Sequence, residues 1–227
     1  MSEWWSYRPS DFLMFAPRTY WRLFELHNEA WWPAQPMLLL AALAWLVWLL
    51  RRRQPTDLRA GIVALAAAWA FAGASFLLAR YAPINWAASA FALGFGLQSV
   101  GLAALATRRI EVTSAPTRLR AATLLWVWAV LGHPLLAPVF GRPWMQAEVL
   151  GLAPDPTAIA TLALLLWAEP PATRAARSLL RALWVLPLAW CVISAATLGT
   201  MGSAQGWVML AAPLVAIAAA VRRAPTP

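Results

Sequence analysis

The feature that most constrains this chain is a series of apolar runs, each close to the length that crosses a bilayer and each followed by a short polar stretch. A helix needs roughly 20 apolar residues to cross the hydrocarbon core, with a range of about 17 to 25. Seven runs meet or approach that length: Trp32–Leu50, Gly61–Ala79, Trp86–Thr107, Ala121–Phe140, Ala147–Trp167, Leu179–Gly199 and Trp207–Val221. The fifth is interrupted by Asp155 and its flanking prolines, and the seventh is short. Backbone groups in hydrocarbon must be paired within their own segment, so such runs read as helices. Composition supports the same solvent: only 12% of the 227 residues are charged, 62% are hydrophobic, and the mean hydropathy is +0.61. A soluble domain carries about 25% charged residues, so this chain cannot coat a water-facing surface of its size. The expected fold class is all-α, a polytopic membrane helix bundle of seven transmembrane helices, with the lipid bilayer as its main partner.

A net charge of +9 would suggest nucleic acid in a soluble protein. Here the basic residues, all of them arginine, sit at the ends of the apolar runs, and no nucleic-acid partner is expected. Arg51, Arg52, Arg53, Arg59, Arg108, Arg109, Arg118, Arg120, Arg174, Arg177, Arg181, Arg222 and Arg223 fall on one side, thirteen in all. Arg8, Arg18, Arg22, Arg80 and Arg142 fall on the other, which makes five. By the positive-inside rule the N-terminus lies outside and the C-terminus inside. Tryptophans cluster near the run ends as an aromatic belt would, among them Trp32, Trp86, Trp144 and Trp207.

Two regions are expected: residues 1–32, an N-terminal amphipathic segment at the outer membrane–water interface, and residues 33–227, the transmembrane bundle. From Pro17 to Trp32 a helical period places Arg18, Arg22, Glu25 and Glu29 on one stripe and Tyr20, Phe24, His27 and Trp31 on another. This is an interfacial helix that orients the first span, or a lid in which Arg18, Arg22, Glu25 and His27 cover an outer vestibule.

Candidate chemistry gathers in the fourth and fifth runs. His133 is the one ionisable side chain well inside an otherwise apolar run, and such groups are costly and often functional. Pro134 follows it and deprives a carbonyl one turn earlier of its donor. Asp155-Pro156 reads as a helix start, with Asp155 as N-cap, so the fifth span is expected to be broken inside the outer leaflet. Broken helices often mark transporter sites. An outer-half ligand site is therefore expected from His133, Arg142, Glu148 and Asp155, joined by Gln98, whose other reading is an amide bonding across packed helices. Two histidines and one cysteine are poor material for a metal site, so neither metal nor other cofactor is expected. A covalent retinal pigment is excluded, because the chain has no lysine.

Two stretches carry a resemblance. One is Ser10-Asp11-Phe12-Leu13, then Pro17-Arg18-Thr19-Tyr20, then Arg22-Leu23-Phe24-Glu25-Leu26, closing on Trp32-Pro33-Ala34-Gln35. The other is Gly141-Arg142-Pro143 with Gly151-Leu152-Ala153-Pro154-Asp155-Pro156-Thr157. The chain resembles a bacterial family of multi-pass membrane proteins catalogued as a domain of unknown function. The resemblance implies a multi-pass protein of the bacterial inner (cytoplasmic) membrane, and it supplies no substrate.

Three functions compete. A small-solute or ion permease needs a polar centre in the outer half of the bundle. A noncatalytic subunit, docking a second copy or a larger membrane complex, needs only a packed bundle. An enzyme needs a lateral opening onto convergent ionisable groups; with no hydrolase or metalloprotease motif in the chain, catalysis is the weakest expectation.

Overall fold

A computed structural model describes residues 14–221. Among these residues the chain is all-α, with eight helices: α1 (Pro17–Ala30), α2 (Ala34–Arg52), α3 (Pro55–Tyr81), α4 (Ala88–Ala106), α5 (Pro116–Val139), α6 (Pro154–Trp167), α7 (Arg174–Thr200) and α8 (Gly206–Val221). Ser10-Asp11-Phe12-Leu13, Arg8, Arg222 and Arg223 lie outside the described residues.

Five helices, α2, α3, α4, α5 and α7, are long and apolar enough to cross a membrane, so the expected count of seven is corrected to five. They carry large apolar side chains exposed on their outer faces, such as Leu40, Val63, Leu97, Leu124 and Val192. Patches of this extent are stable against lipid and not against water.

The fifth run is broken as expected, but its helix does not face lipid. Residues 147–153 are largely non-helical, and only Pro154–Trp167 coils, a 14-residue helix about 21 Å long. Gly151 turns the chain with φ +88°, a conformation that costs glycine little. Every residue of α6 is buried. This helix is an inner post, enclosed by α3, α5, α7 and α8, and not a lipid-facing span. Composition alone cannot separate the two cases, because protein and lipid are both apolar surroundings. Small residues on α6, Ala158, Ala160 and Ala163, let its neighbours approach closely. Trp69 of α3 donates its indole N–H to Thr161 Oγ1 at 2.7 Å, and Thr161 in turn donates to the Thr157 carbonyl.

The end of α6 away from α1 is sealed. The Thr113 amide donates to the Trp167 carbonyl at 2.7 Å, and the Glu169 amide to the Glu111 carbonyl at 2.8 Å. Arg118 donates to the Ala168 carbonyl at 2.6 Å and lies 3.6 Å from Glu169. The bonds to Trp167 and Ala168 satisfy carbonyls that any helix leaves open at its C-terminus.

Three long helices are irregular: α3 winds as a π-helix over Ala72–Tyr81 with no proline in that segment, and prolines explain the other two. In α7, Pro187 offers no N–H to the Leu183 carbonyl, four residues earlier, and the helix breaks at Leu183 and Trp184. Gln98 of α4 supplies the missing donor, Nε2 to Leu183 O at 3.0 Å. In α5, Trp128–Gly132 winds as a π-turn immediately before His133-Pro134. Single π-turns inside α-helices are rare and concentrate at functional sites.

Candidate functional site

His133 leaves the π-turn of α5 roughly 9 Å below that helix's end at Val139. Its side chain is wholly buried, and neither ring nitrogen has a hydrogen-bond partner. The chain then returns through the 3-10 turn Trp144–Gln146 and folds Glu148 back into the bundle, where it is also buried. Glu148 Oε2 lies 3.6 Å from His133 Nε2 and is likewise unpartnered. Asp155, in the first turn of α6, completes the group. One ligand-capable atom from each of His133, Glu148 and Asp155 lies within 4.8 Å of the others. These three side chains could hold a cation or share a proton.

The remaining lone pairs are held from outside. Asp155 Oδ1 accepts from Trp190 Nε1 at 2.7 Å, and Oδ2 from Ser194 Oγ at 2.6 Å. Both donors come from one face of α7, at i and i+4. Glu148 Oε1 accepts from Gln205 Nε2 at 2.6 Å, and Gln205 Oε1 accepts from Arg142 Nη2 at 2.6 Å. Burial pushes the Glu148 carboxyl up, but the neighbouring His133, the Arg142 charge and the Gln205 hydrogen bond outweigh it. The group is held below the usual carboxylate range.

Helix α1 roofs this centre. It is too short and polar to cross a membrane, and its buried face is Tyr20, Leu23, Phe24, His27 and Asn28. Asn28 Nδ2 donates to the Met145 and Ala147 carbonyls, both at 2.8 Å. The Arg142 guanidinium lies 3.5 Å from the centroid of the Trp21 ring. Burial, and then the negative charges of Asp155 and Glu148, hold the Tyr20 phenol well above its ordinary value. His27 packs its ring against Phe76 and accepts from Arg80 Nε at 3.2 Å. Burial and that arginine lower its pKa to about 4.

The expected site residues therefore divide. The structure brings together His133, Glu148 and Asp155, and ties Arg142 to them through Gln205. Gln98 is not among them; its amide is spent on the Leu183 carbonyl. Asp155 is not the N-cap: α6 starts at Pro154, Ala153 holds the cap position, and the carboxylate points to α7. Of the expected lid residues, Arg18 is exposed and Arg22 pairs with Glu25 at the surface. Glu25 also accepts from Gln146 at 3.1 Å, and His27 faces inward. The residues that close the roof are Tyr20, Trp21 and Asn28. Tyr20 lies on the aromatic stripe that the helical period predicts, whereas Trp21 and Asn28 fall on neither stripe. Trp190, Ser194 and Gln205 carry no charge and no motif that marks them in the sequence. The spacing of Trp190 and Ser194 was visible, but nothing in it pointed to a partner on another helix.

Several apolar spans enclosing a buried ionisable centre define a multi-pass membrane protein. The family model described as "Family of unknown function (DUF6064)" matches residues 18–226, and the chain belongs to that family. No curated protein and no solved structure matches it.

Proposed function

We propose that the protein is an ion permease of the bacterial cytoplasmic membrane, with its binding site at His133, Glu148 and Asp155. One observation carries this reading: three buried ionisable side chains converge where the inner helix α6 begins, and His133 Nε2 and Glu148 Oε2, 3.6 Å apart, have no hydrogen-bond partner. Intramembrane groups of this kind mark ion and proton pathways, and irregular backbone at such depth is tolerated where protein or a water-filled cavity surrounds it. The test is flux of H+, Zn2+ or Mn2+ into proteoliposomes carrying the purified protein. Wild type is expected to pass one of these above empty liposomes, and Asp155→Asn to lose at least about tenfold of it. Flux equal to empty liposomes for all three ions sinks the permease. A second reading, a noncatalytic subunit, is favoured by the sealed far end of α6, where Thr113 and Arg118 close over Trp167 and Ala168.

The same reading sets the orientation, N-terminus outside and C-terminus in the cytoplasm. In support, the end of the bundle opposite α1 carries Arg51, Arg52, Arg53, Arg108, Arg109 and Arg174, while the α1 end carries exposed Trp86, Trp144 and Trp207. Cysteines introduced at Arg53 and Arg109 should resist a membrane-impermeant thiol reagent in intact cells, and one at Trp144 should react. The reverse pattern refutes the orientation. Native Cys191 is buried and serves as a silent background.

A further inference from the structure

We infer that His133, Glu148 and Asp155 form a three-ligand site for a divalent first-row metal ion, with Zn2+ the best fit. The assignment rests on the reading of this centre as an ion site, but not on transport itself. Four observations carry it. The ligand-capable atoms already lie within 4.8 Å of one another, and His133 Nε2 and Glu148 Oε2 are 3.6 Å apart. Ligands at Zn distances of about 2.1 Å in tetrahedral array sit about 3.4 Å apart, so His133 and Glu148 are already close to that spacing and the widest pair must close by up to about 1.4 Å.

The second observation is the set of orphaned atoms. Both His133 nitrogens and Glu148 Oε2 are buried without hydrogen-bond partners, and such groups are rare in folded proteins because leaving them unpaired is costly. The third is charge. Two carboxylates buried together repel, and a divalent cation between them offsets that repulsion.

The fourth is the surrounding shell. Trp190 and Ser194 each occupy one oxygen of Asp155, and Gln205 occupies Oε1 of Glu148. These bonds orient the carboxylates and leave a lone pair free for the ion, as the outer partners of metal ligands do. One imidazole with two carboxylates suits Zn2+, Mn2+ or Fe2+ better than a soft-ligand metal. Three protein ligands leave a fourth position open, which is the pattern of a working site and not of a closed structural one.

Elemental analysis of the detergent-solubilised full chain, equilibrated with Zn2+ or Mn2+ and freed of excess, tests the site. Wild type should retain about one ion per chain. His133→Ala, Glu148→Gln and Asp155→Asn should each lose affinity at least about 100-fold, and Ser194→Ala about 10-fold. Gln98→Ala should bind as wild type does. Because a ligand variant could misfold, chelation of wild type is the second measurement: stripping the ion should lower its melting temperature, and added Zn2+ should restore it. Wild type that binds neither ion, or ligand variants that bind as wild type does, would overturn the assignment. Metal bound without flux sinks the permease alone. Flux of protons by a chain that binds no metal sinks this inference alone.

Discussion

Trp167→Ala is expected to lower the melting temperature of the solubilised protein by about 6 to 20 °C. Trp167 ends α6 and is wholly buried. Its ring centroid lies 5.5 Å from that of Trp45 and 5.6 Å from that of Trp126, which are themselves 4.4 Å apart. Trp45 is fixed by its bond to the Asp57 carbonyl at 2.9 Å, and Trp126 by its bond to the Ala42 carbonyl at 3.2 Å. A Cβ at Gly61 would stand 2.1 Å from the Trp45 ring, so that ring has helix backbone directly behind it. None of these groups can collapse into the space an alanine leaves. Removing a buried tryptophan costs about 3 to 5 kcal/mol under such conditions, and a chain of this size loses about 2 to 4 °C per kcal/mol. Trp167→Phe should cost less than half as much as alanine, because it leaves a much smaller cavity and the Trp167 indole N–H bonds to nothing. The account fails if alanine shifts the midpoint by less than about 3 °C, or if phenylalanine is as damaging as alanine.

Arg142→Ala should undock helix α1 and cost about 3 to 5 kcal/mol. The guanidinium stacks on Trp21, donates to Gln205 Oε1 at 2.6 Å and reaches the Gln146 carbonyl at 3.3 Å. It therefore ties α1, the 140–153 loop and the α7–α8 turn to one point. A partly buried cation–π contact is worth about 1 to 2 kcal/mol. A hydrogen bond to a charged group adds about 1.5 to 3 kcal/mol, and the fully buried Gln205 oxygen would lose its donor. Lysine should recover less than half, since a point charge cannot stack and fork at once. Hydrogen exchange reads the effect: the amides of Tyr20 to Asn28 should lose protection while those of α6 keep theirs. Unchanged protection in α1 would show that Asn28, through its bonds to Met145 and Ala147, holds the roof alone.

Much of the candidate centre was legible residue by residue. His133 stood out because an imidazole in an apolar run is conspicuous, and Asp155 because prolines flank it. Arg142 followed from its place in the intervening loop, and Glu148 from its place at the start of the fifth run. The partners were not legible: Trp190, Ser194 and Gln205 are ordinary residues in or beside apolar helices, and only their arrival at Asp155 and Glu148 gives them a role. Of the two readings of Gln98, the amide bonding across packed helices is the one the structure shows, and its partner is set by Pro187 on a different helix.

The sequence by itself determined the solvent and the class of fold. Long apolar stretches with few charges are stable only in a bilayer, and a backbone there must be helical, so hydropathy suffices for both. It also determined the amphipathic character of α1, because charge and aromatic stripes follow the helical period directly. Only the tertiary structure decided that the fifth run is an inner post and not a lipid-facing span. An apolar side chain is equally content against lipid or against protein, and nothing in its identity says which it meets. Only the tertiary structure, too, brought His133, Glu148 and Asp155 within 4.8 Å. That convergence depends on a π-turn in one helix, a loop folded back into the bundle and the start of another helix, and no local pattern encodes the sum of three such displacements.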